Sequence, residues 1–210
     1  MKNLIIIGAG GMGREVYNLA TQCVGYKTEF EIKGFLDDNL NVLERFEIYP
    51  PVIDTVQNYK VEEEDVFVCS IGSVKQKKVC IEKIRNRGGV FISLIHPTSL
   101  IDKTVKLGIG AIVFSYAQIG SGAIVGDYVL IQSYSGIAHD VILGDYSRID
   151  VHALCVGGVH VGNSVTIHSG AVVNHKVVIE DDATIGAMSF VIRNVKAGCT
   201  VCGNPAKRLV

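Results

Sequence analysis

From Leu94 to Val201 the hydrophobic positions of the chain fall on a period of six. Stepping by six from Ile95 gives Ile101, Leu107, Val113, Ile119, Val125, Ile131, Ile137, Leu143, Ile149, Cys155, Val161, Ile167, Val173, Ile179, Ile185, Val191 and Ala197. Sixteen of these eighteen positions are Ile, Leu or Val, and the residue four places on is always Ser, Ala or Val, from Ser99 and Ala111 through to Val201. Neither the 3.6-residue spacing of a helix nor the alternation of a strand produces this period. It fits a parallel β-helix, in which three six-residue segments make one triangular coil and each coil stacks on the last. The large aliphatic fills the prism, and the small residue is expected at the tight corner. Three hexads per coil predict about six coils, roughly 29 Å of prism at the usual inter-strand spacing.

Ahead of the repeat the pattern changes to alternating strands and helices. Lys2 to Ile7 reads as a buried strand running into Gly8-Ala-Gly10-Gly-Met-Gly13, after which Arg14, Glu15, Val16, Leu19 and Ala20 take helical spacing. Glu31 to Leu36 predicts a second strand ending at Asp37-Asp38, Val66 to Ser70 a third, and Val90 to Ile95 a fourth that leads into the coil. Val52 to Tyr59 reads as a weak helix or loop, Glu62 to Asp65 as a solvated turn, and Lys75 to Arg87 as a helix broken by Gly88-Gly89. The expected division is an α/β nucleotide-binding domain over 1–93 and an all-β coil over 94–210. A glycine turn between strand and helix allows close approach of a phosphate, and the helix N-terminus supplies N–H groups and positive dipole. That turn is compatible with a nucleotide-linked sugar, an NAD-type cofactor or a purely structural bend. Only about ninety residues precede the coil, half of a two-lobed dinucleotide domain, which favours the nucleotide sugar.

Composition narrows the function. The formal net charge is −1 and Lys and Arg form no block, so nucleic acid and acidic membrane surfaces are not expected partners. The apolar run Leu4 to Ile7 is too short for a signal peptide or a spanning helix. Six scattered cysteines read as reduced thiols of a cytoplasmic protein, and Cys199 and Cys202 lack the second ligand pair a metal site needs.

Candidate chemistry in the coil centres on His139, followed by Asp140. His139 is the third residue of its hexad, an outward position. Gly157 lies eighteen residues on, one coil further along the same edge, where a bare backbone N–H about 5 Å away is a plausible oxyanion donor. His175 lies two coils from His139 on that edge and could line the same groove, but His175, His96, His152, His160 and His168 all read mainly as solvated side chains. Imidazole titrates near neutral pH in general, which suits a general base.

The hexads Ile119-Gly-Ser-Gly-Ala-Ile, Val125-Gly-Asp-Tyr-Val-Leu and Val161-Gly-Asn-Ser-Val-Thr resemble those of the left-handed β-helix acyltransferases. The tail Gly203-Asn-Pro-Ala-Lys-Arg-Leu209 resembles their closing segment. With the glycine turn and His139-Asp140 before Ile-Leu-Gly-Asp145, the whole chain is similar to the bacterial NeuD/PglD-type family of sugar O- and N-acetyltransferases. That resemblance implies a left-handed coil, a Rossmann-like N-terminal domain, a homotrimer, and acetyl transfer from acetyl-CoA to a UDP-type amino sugar for surface glycans. Transfer to the hydroxyl of a sialic-acid-like sugar is the alternative, and a non-catalytic trimeric nucleotide-binding scaffold another. It further implies His139 as general base supported by Asp140, and the nucleotide sugar at Gly10, Gly11, Met12, Asp37, Asp38 and Gly72. Acetyl-CoA would lie along Arg148, Gly157, Ser169 and Ala187 with no metal. Some amino-sugar members carry a second histidine nine residues after the base, where this chain has Arg148.

Overall fold

A computed structural model of the protein describes residues 1–209. The chain divides into two compact units, Met1–Pro97 and Thr98 onward.

The first unit contains β1 (Lys2–Ile7), α1 (Gly11–Gln22), β2 (Phe30–Leu36), β3 (Val52–Asp54), β4 (Asp65–Cys69), α2 (Val74–Arg85) and β5 (Val90–Phe91). The strands form one parallel sheet in the order β3-β2-β1-β4-β5. Leu4 to Ile7 are fully buried, as a central strand covered on both faces must be, which is why β1 reads as an unbroken apolar run. Three expectations change. Val52–Asp54 is an edge strand, not a helix or loop, and pairs with Phe35 and Leu36. The fourth strand stops at Phe91, and α1 already begins at Gly11.

A fourth correction concerns Asp65, placed by sequence in a solvated turn. It opens β4 with its side chain buried, and its carboxylate accepts from Tyr59 Oη at 2.7 Å, Glu62 N–H at 2.9 Å and Lys33 Nζ at 3.1 Å. Burial alone would raise the Asp65 carboxyl; the hydrogen bonds from Glu62 N–H, Tyr59 and Lys33 outweigh it and hold the group below the ordinary carboxylate range.

The second unit is a parallel β-solenoid of two-residue strands. Gln118–Ile119 lies between Leu100–Ile101 and Gly136–Ile137, Ile124–Val125 between Lys106–Leu107 and Ile142–Leu143, and Leu130–Ile131 between Ile112–Val113 and Arg148–Ile149. Every pairing among these is eighteen residues apart, so three faces and three edges repeat along the prism. Val113, Ile131, Ile149, Cys155, Ile167 and Ile185 are wholly inside, each large aliphatic contributing roughly 1.5–3 kcal/mol by burial. The small residues of the repeat, such as Ala117, Ala123 and Ala153, also point inward and are fully buried.

The tight corner itself sits one residue earlier than expected. Ten non-glycine residues there take positive φ, among them Tyr116 (58°), Tyr128 (57°), Tyr134 (60°), Asp140 (59°) and His152 (60°). This conformation disfavours an L-residue by roughly 1–2 kcal/mol. It persists because the corner N–H donates back to the preceding coil, as from Asp140 to Ser121 O at 2.9 Å and from Tyr146 to Asp127 O at 2.8 Å.

The period of six fails at both ends. Ile95 is exposed while its neighbour Leu94 is buried. At the other end Ile179 pairs with Val195, and Thr184 and Ile185 pair with Thr200 and Val201, so the last turn is two residues short. Val195 and Val201 fill the interior and Ala197 stands outside. All three faces are then closed by the tail. Asn194 Oδ1 accepts from Val178 N–H at 2.9 Å, Gly203 O accepts from Phe190 N–H at 3.0 Å, and Lys207–Arg208 adds an antiparallel strand to Thr200–Cys202.

Candidate active site

The strand Gly136–Ile137 ends at an edge of the prism whose outward column reads Ser121, His139, Gly157, His175. His139 Nδ1 lies 2.8 Å from Asp140 Oδ2, with both side chains well exposed. A carboxylate only accepts, so Nδ1 carries the hydrogen, and in the neutral ring the lone pair is on Nε2. The left-handed backbone at Asp140 turns its carboxylate back onto the preceding ring. A Cβ on Gly157 would collide with the His139 ring, nearest to Nε2. The absence of that carbon is what lets the imidazole lie along the edge over the next coil.

The backbone of Gly157 adds a donor that the whole column leaves open, since among the described residues the N–H groups of Ser121, His139 and His175 also lack a partner. Its carbonyl accepts from Lys176 N–H and its neighbour Gly158 donates to His139 O at 3.0 Å, but among the described residues the Gly157 N–H has no hydrogen-bond partner. A free donor and a free basic nitrogen therefore stand beside one another. An arrangement of this kind can remove a proton from a nucleophile and stabilise the oxyanion formed when it attacks a carbonyl.

Sequence reading placed Arg148, Ser169 and Ala187 with Gly157. The fold puts Arg148, Ser169 and Ala187 on the face and edge that carry Leu130–Ile131, while His139 and Gly157 occupy the next edge of the same prism. One chain does not bring the two groups together.

In the first unit the glycine turn splits by role. A Cβ at Gly13 would strike the Gly8 carbonyl, so this glycine serves the packing of α1 against β1. Gly10 and Gly11 face open space, and α1 has no side-chain cap and no acid in its first turn. The fold does not require glycine at those two places, and the uncapped N–H groups are available to an anion. Met12 is half-buried on the first turn, and Gly72 lies in the loop between β4 and α2. Asp37 is already engaged, accepting from Ala9 N–H at 2.8 Å and from Asn39 N–H at 2.9 Å. It fixes the glycine turn and leaves Asp38 the freer carboxylate.

Beside this turn lies a cavity of about 590 Å³, lined by Gly8, Asp37, Asp38 and Ile71 and by one face of α2. That face, Lys75, Gln76, Val79, Cys80 and Lys83, was missed in the sequence, although its spacing of three and four residues is a helical stripe. Burial, reinforced by Asp38, pushes the Cys80 thiol up, so it is a neutral wall of the cavity. Among the described residues no three His, Cys, Asp or Glu side chains gather as a metal site, and no helix is long and apolar enough to cross a membrane.

Fold and site together are those of a parallel β-solenoid built of six-residue repeats, with an α/β domain ahead of it in the sequence. Residues 3–84 match the family model of the PglD N-terminal domain, and residues 158–193 match that of the bacterial transferase hexapeptide (six repeats). The resemblance to the NeuD/PglD-type family thus holds in both halves of the chain. The chain is 28% identical to the acetyltransferase domain of PglB from Neisseria gonorrhoeae FA1090, with a TM-score of 0.90 and 100% of each chain covered. The same domain has been solved in complex with acetyl coenzyme A. PerB from Caulobacter crescentus, solved with CoA and GDP-perosamine, shares the fold at a TM-score of 0.90 and 24% identity, covering 100% of this chain and 98% of that one. UDP-N-acetylbacillosamine N-acetyltransferase from Bacillus subtilis (strain 168) is 27% identical over 118 residues, 55% of this chain. That match spans only about half of the curated relative, 52% of its length.

Proposed function

We propose that the protein is an acetyl-CoA-dependent acetyltransferase that modifies the amine of a nucleotide-linked, UDP-type amino sugar destined for surface glycans. The observation that carries the reading is the His139 ring, bonded through Nδ1 to Asp140 and lying over Gly157, whose N–H has no partner among the described residues. His139 takes the proton from the acceptor amine as the nitrogen attacks the thioester carbonyl. The Gly157 N–H stabilises the oxyanion, Asp140 the imidazolium. Collapse breaks the C–S bond, and the imidazolium returns the proton to the departing thiolate, giving amide and free CoA. No acyl-enzyme is needed, so both substrates are present together.

The cavity beside Asp38 and α2, with Gly10, Gly11, Met12 and Gly72 around the glycine turn, is assigned to the nucleotide sugar, in a Rossmann-like domain. Arg148, Ser169 and Ala187 are assigned to acetyl-CoA. Because they lie on a different edge from His139, a second copy must complete each site, which fits a homotrimer of left-handed coils, about six to a chain. Both substrates are cytoplasmic metabolites, and the enzyme is placed there.

The test is incubation with acetyl-CoA and a panel of UDP- and GDP-linked amino sugars, following thiol release and analysing the product bond. Amino-sugar-dependent release with sequential kinetics and a base-stable amide is expected. A base-labile ester would move the acceptor to a sugar hydroxyl. Absence of thiol release with every acceptor, together with nucleotide binding, would make the protein a scaffold.

A further inference from the structure

A second carboxylate–histidine arrangement stands on the solenoid, apart from His139. Asp150 is buried on the outside of the prism; its Oδ1 accepts from Gln132 Nε2 at 2.8 Å and from Arg148 Nε, and its Oδ2 from Arg148 Nη2 at 3.0 Å. His168 Nδ1 lies 3.0 Å from Asp150 Oδ2, so Nδ1 carries the hydrogen, and in the neutral form Nε2 of this half-exposed ring is an acceptor.

The fold does not call for this cluster. Along the same column of corner positions, one coil apart, stand Phe114, Gln132, Asp150, His168 and Gly186. The solenoid therefore accepts an aromatic ring or no side chain at all at that place. A buried ion pair is on balance a weak source of stability, because desolvation offsets most of the attraction. A charge buried on the outer surface and given four donors from three side chains has another use.

Its height along the prism indicates which. Gln132 belongs to the coil of His139, and Arg148 and Asp150 to the coil of Gly157. The cluster is thus level with His139 and Gly157 to within about one strand spacing, ~5 Å, on the neighbouring edge. When copies related by an axis along the prism pack side by side, residues at one height on one copy stand level with those at the same height on the next.

We propose that Asp150 is a positioning residue that holds Arg148 and His168 as the wall of the acyl-CoA groove facing His139 of an adjacent copy. The inference rests on the acetyltransferase reading and adds the residues that grip the thioester substrate. Arg148 presents donors and His168 Nε2 an acceptor, a pair matched to a secondary amide, of which the pantetheine arm of any acyl-CoA has two.

Asp150→Asn and His168→Asn separate this role from a structural one. In the intact oligomer each is expected to raise KM for acetyl-CoA by about tenfold, while kcat and the KM for the nucleotide sugar stay near wild type. Acetyl-pantetheine should show the same rise, since the contact is to the arm and not to the phosphates. His168 is half exposed, so His168→Asn folds even where Asp150→Asn does not. The proposal is overturned when His168→Asn keeps the wild-type acetyl-CoA KM, or when the rise disappears with acetyl-pantetheine. Direct titration of CoA into the wild type distinguishes the failures. No binding there removes the acetyltransferase reading as well, whereas binding that is equal in wild type and variants removes only the role of Asp150.

Discussion

On the edge that follows Ile124–Val125, the second corner residue of successive coils is Asp127, Asp145, Asn163 and Asp181. On the edge that follows Gln118–Ile119 it is Ser121, His139, Gly157 and His175. The backbone is the same at both: the next N–H donates to the preceding coil in each case. At the acidic edge the corner N–H is also satisfied. Asp145 Oδ1 accepts from Asp127 N–H at 2.8 Å, Asn163 Oδ1 from Asp145 N–H at 2.9 Å, and Asp181 Oδ1 from Asn163 N–H at 2.8 Å. Gly126 and Gly162 precede these residues because a Cβ there would collide with the carboxylate of the next coil. At the histidine edge the side chain that would cap Gly157 is replaced by His175, and the donor stays open. One position of the repeat thus serves cohesion on one edge and is left open for the proposed chemistry on the other, and only the side chains differ.

Four substitutions break or sharpen this contrast. His139→Ala is expected to lower turnover by roughly 10²–10⁴, with melting temperature and acetyl-CoA binding unchanged, because an exposed side chain leaves the core untouched. Wild-type turnover on the identified acceptor would remove the general-base role. Gly157→Ala drives a methyl into the ring of His139 and should reduce kcat by about 10², since a misplacement of the order of 1 Å suffices. Its melting curve should stay near wild type, and unchanged kinetics would show that the ring position is unimportant.

Asp145→Ala moves the other way. It strands the Asp127 N–H and should lower stability by about 1 kcal/mol, a few degrees in melting temperature, with kcat intact. A loss of activity at full stability would mean the acidic edge takes part in chemistry. The smallest effect belongs to Cys155, inside the prism, where burial pushes the thiol up to about 12. At pH 8 it should resist maleimide in the folded protein, and Cys155→Ala should lower stability by about 1 kcal/mol with little change in turnover. Rapid labelling of Cys155 under native conditions would contradict its place in the core.

Much of this was legible because the solenoid is nearly one-dimensional: a strict period fixes which side chains go inward, and an interval of eighteen residues fixes which ones stack. His139 and Gly157 could be paired on that ground alone. The slip at Val195 was hidden because the old phase offered Ala197 and the new one Val195 and Val201, all apolar. The α2 wall of the cavity was hidden behind the glycine turn, whose signal is stronger than two lysines at helical spacing. Asp65 sat in a run of four acids, which reads as solvent; its burial depends on Lys33, distant in sequence and adjacent only once β2 and β4 share a sheet.

The closing tail has a consequence for the protein in bulk. Stacked coils end in sheet edges with unpaired backbone groups, and an identical coil is the best possible match for them. Left bare, the last coil would template the first coil of another molecule, and rods would grow end to end. Asn194, Gly203 and the Lys207–Arg208 strand occupy those hydrogen-bonding positions, and the final strand runs antiparallel with two cations on it. A newcomer meets the wrong polarity and like charge, so the segment acts as a chain terminator against fibre formation.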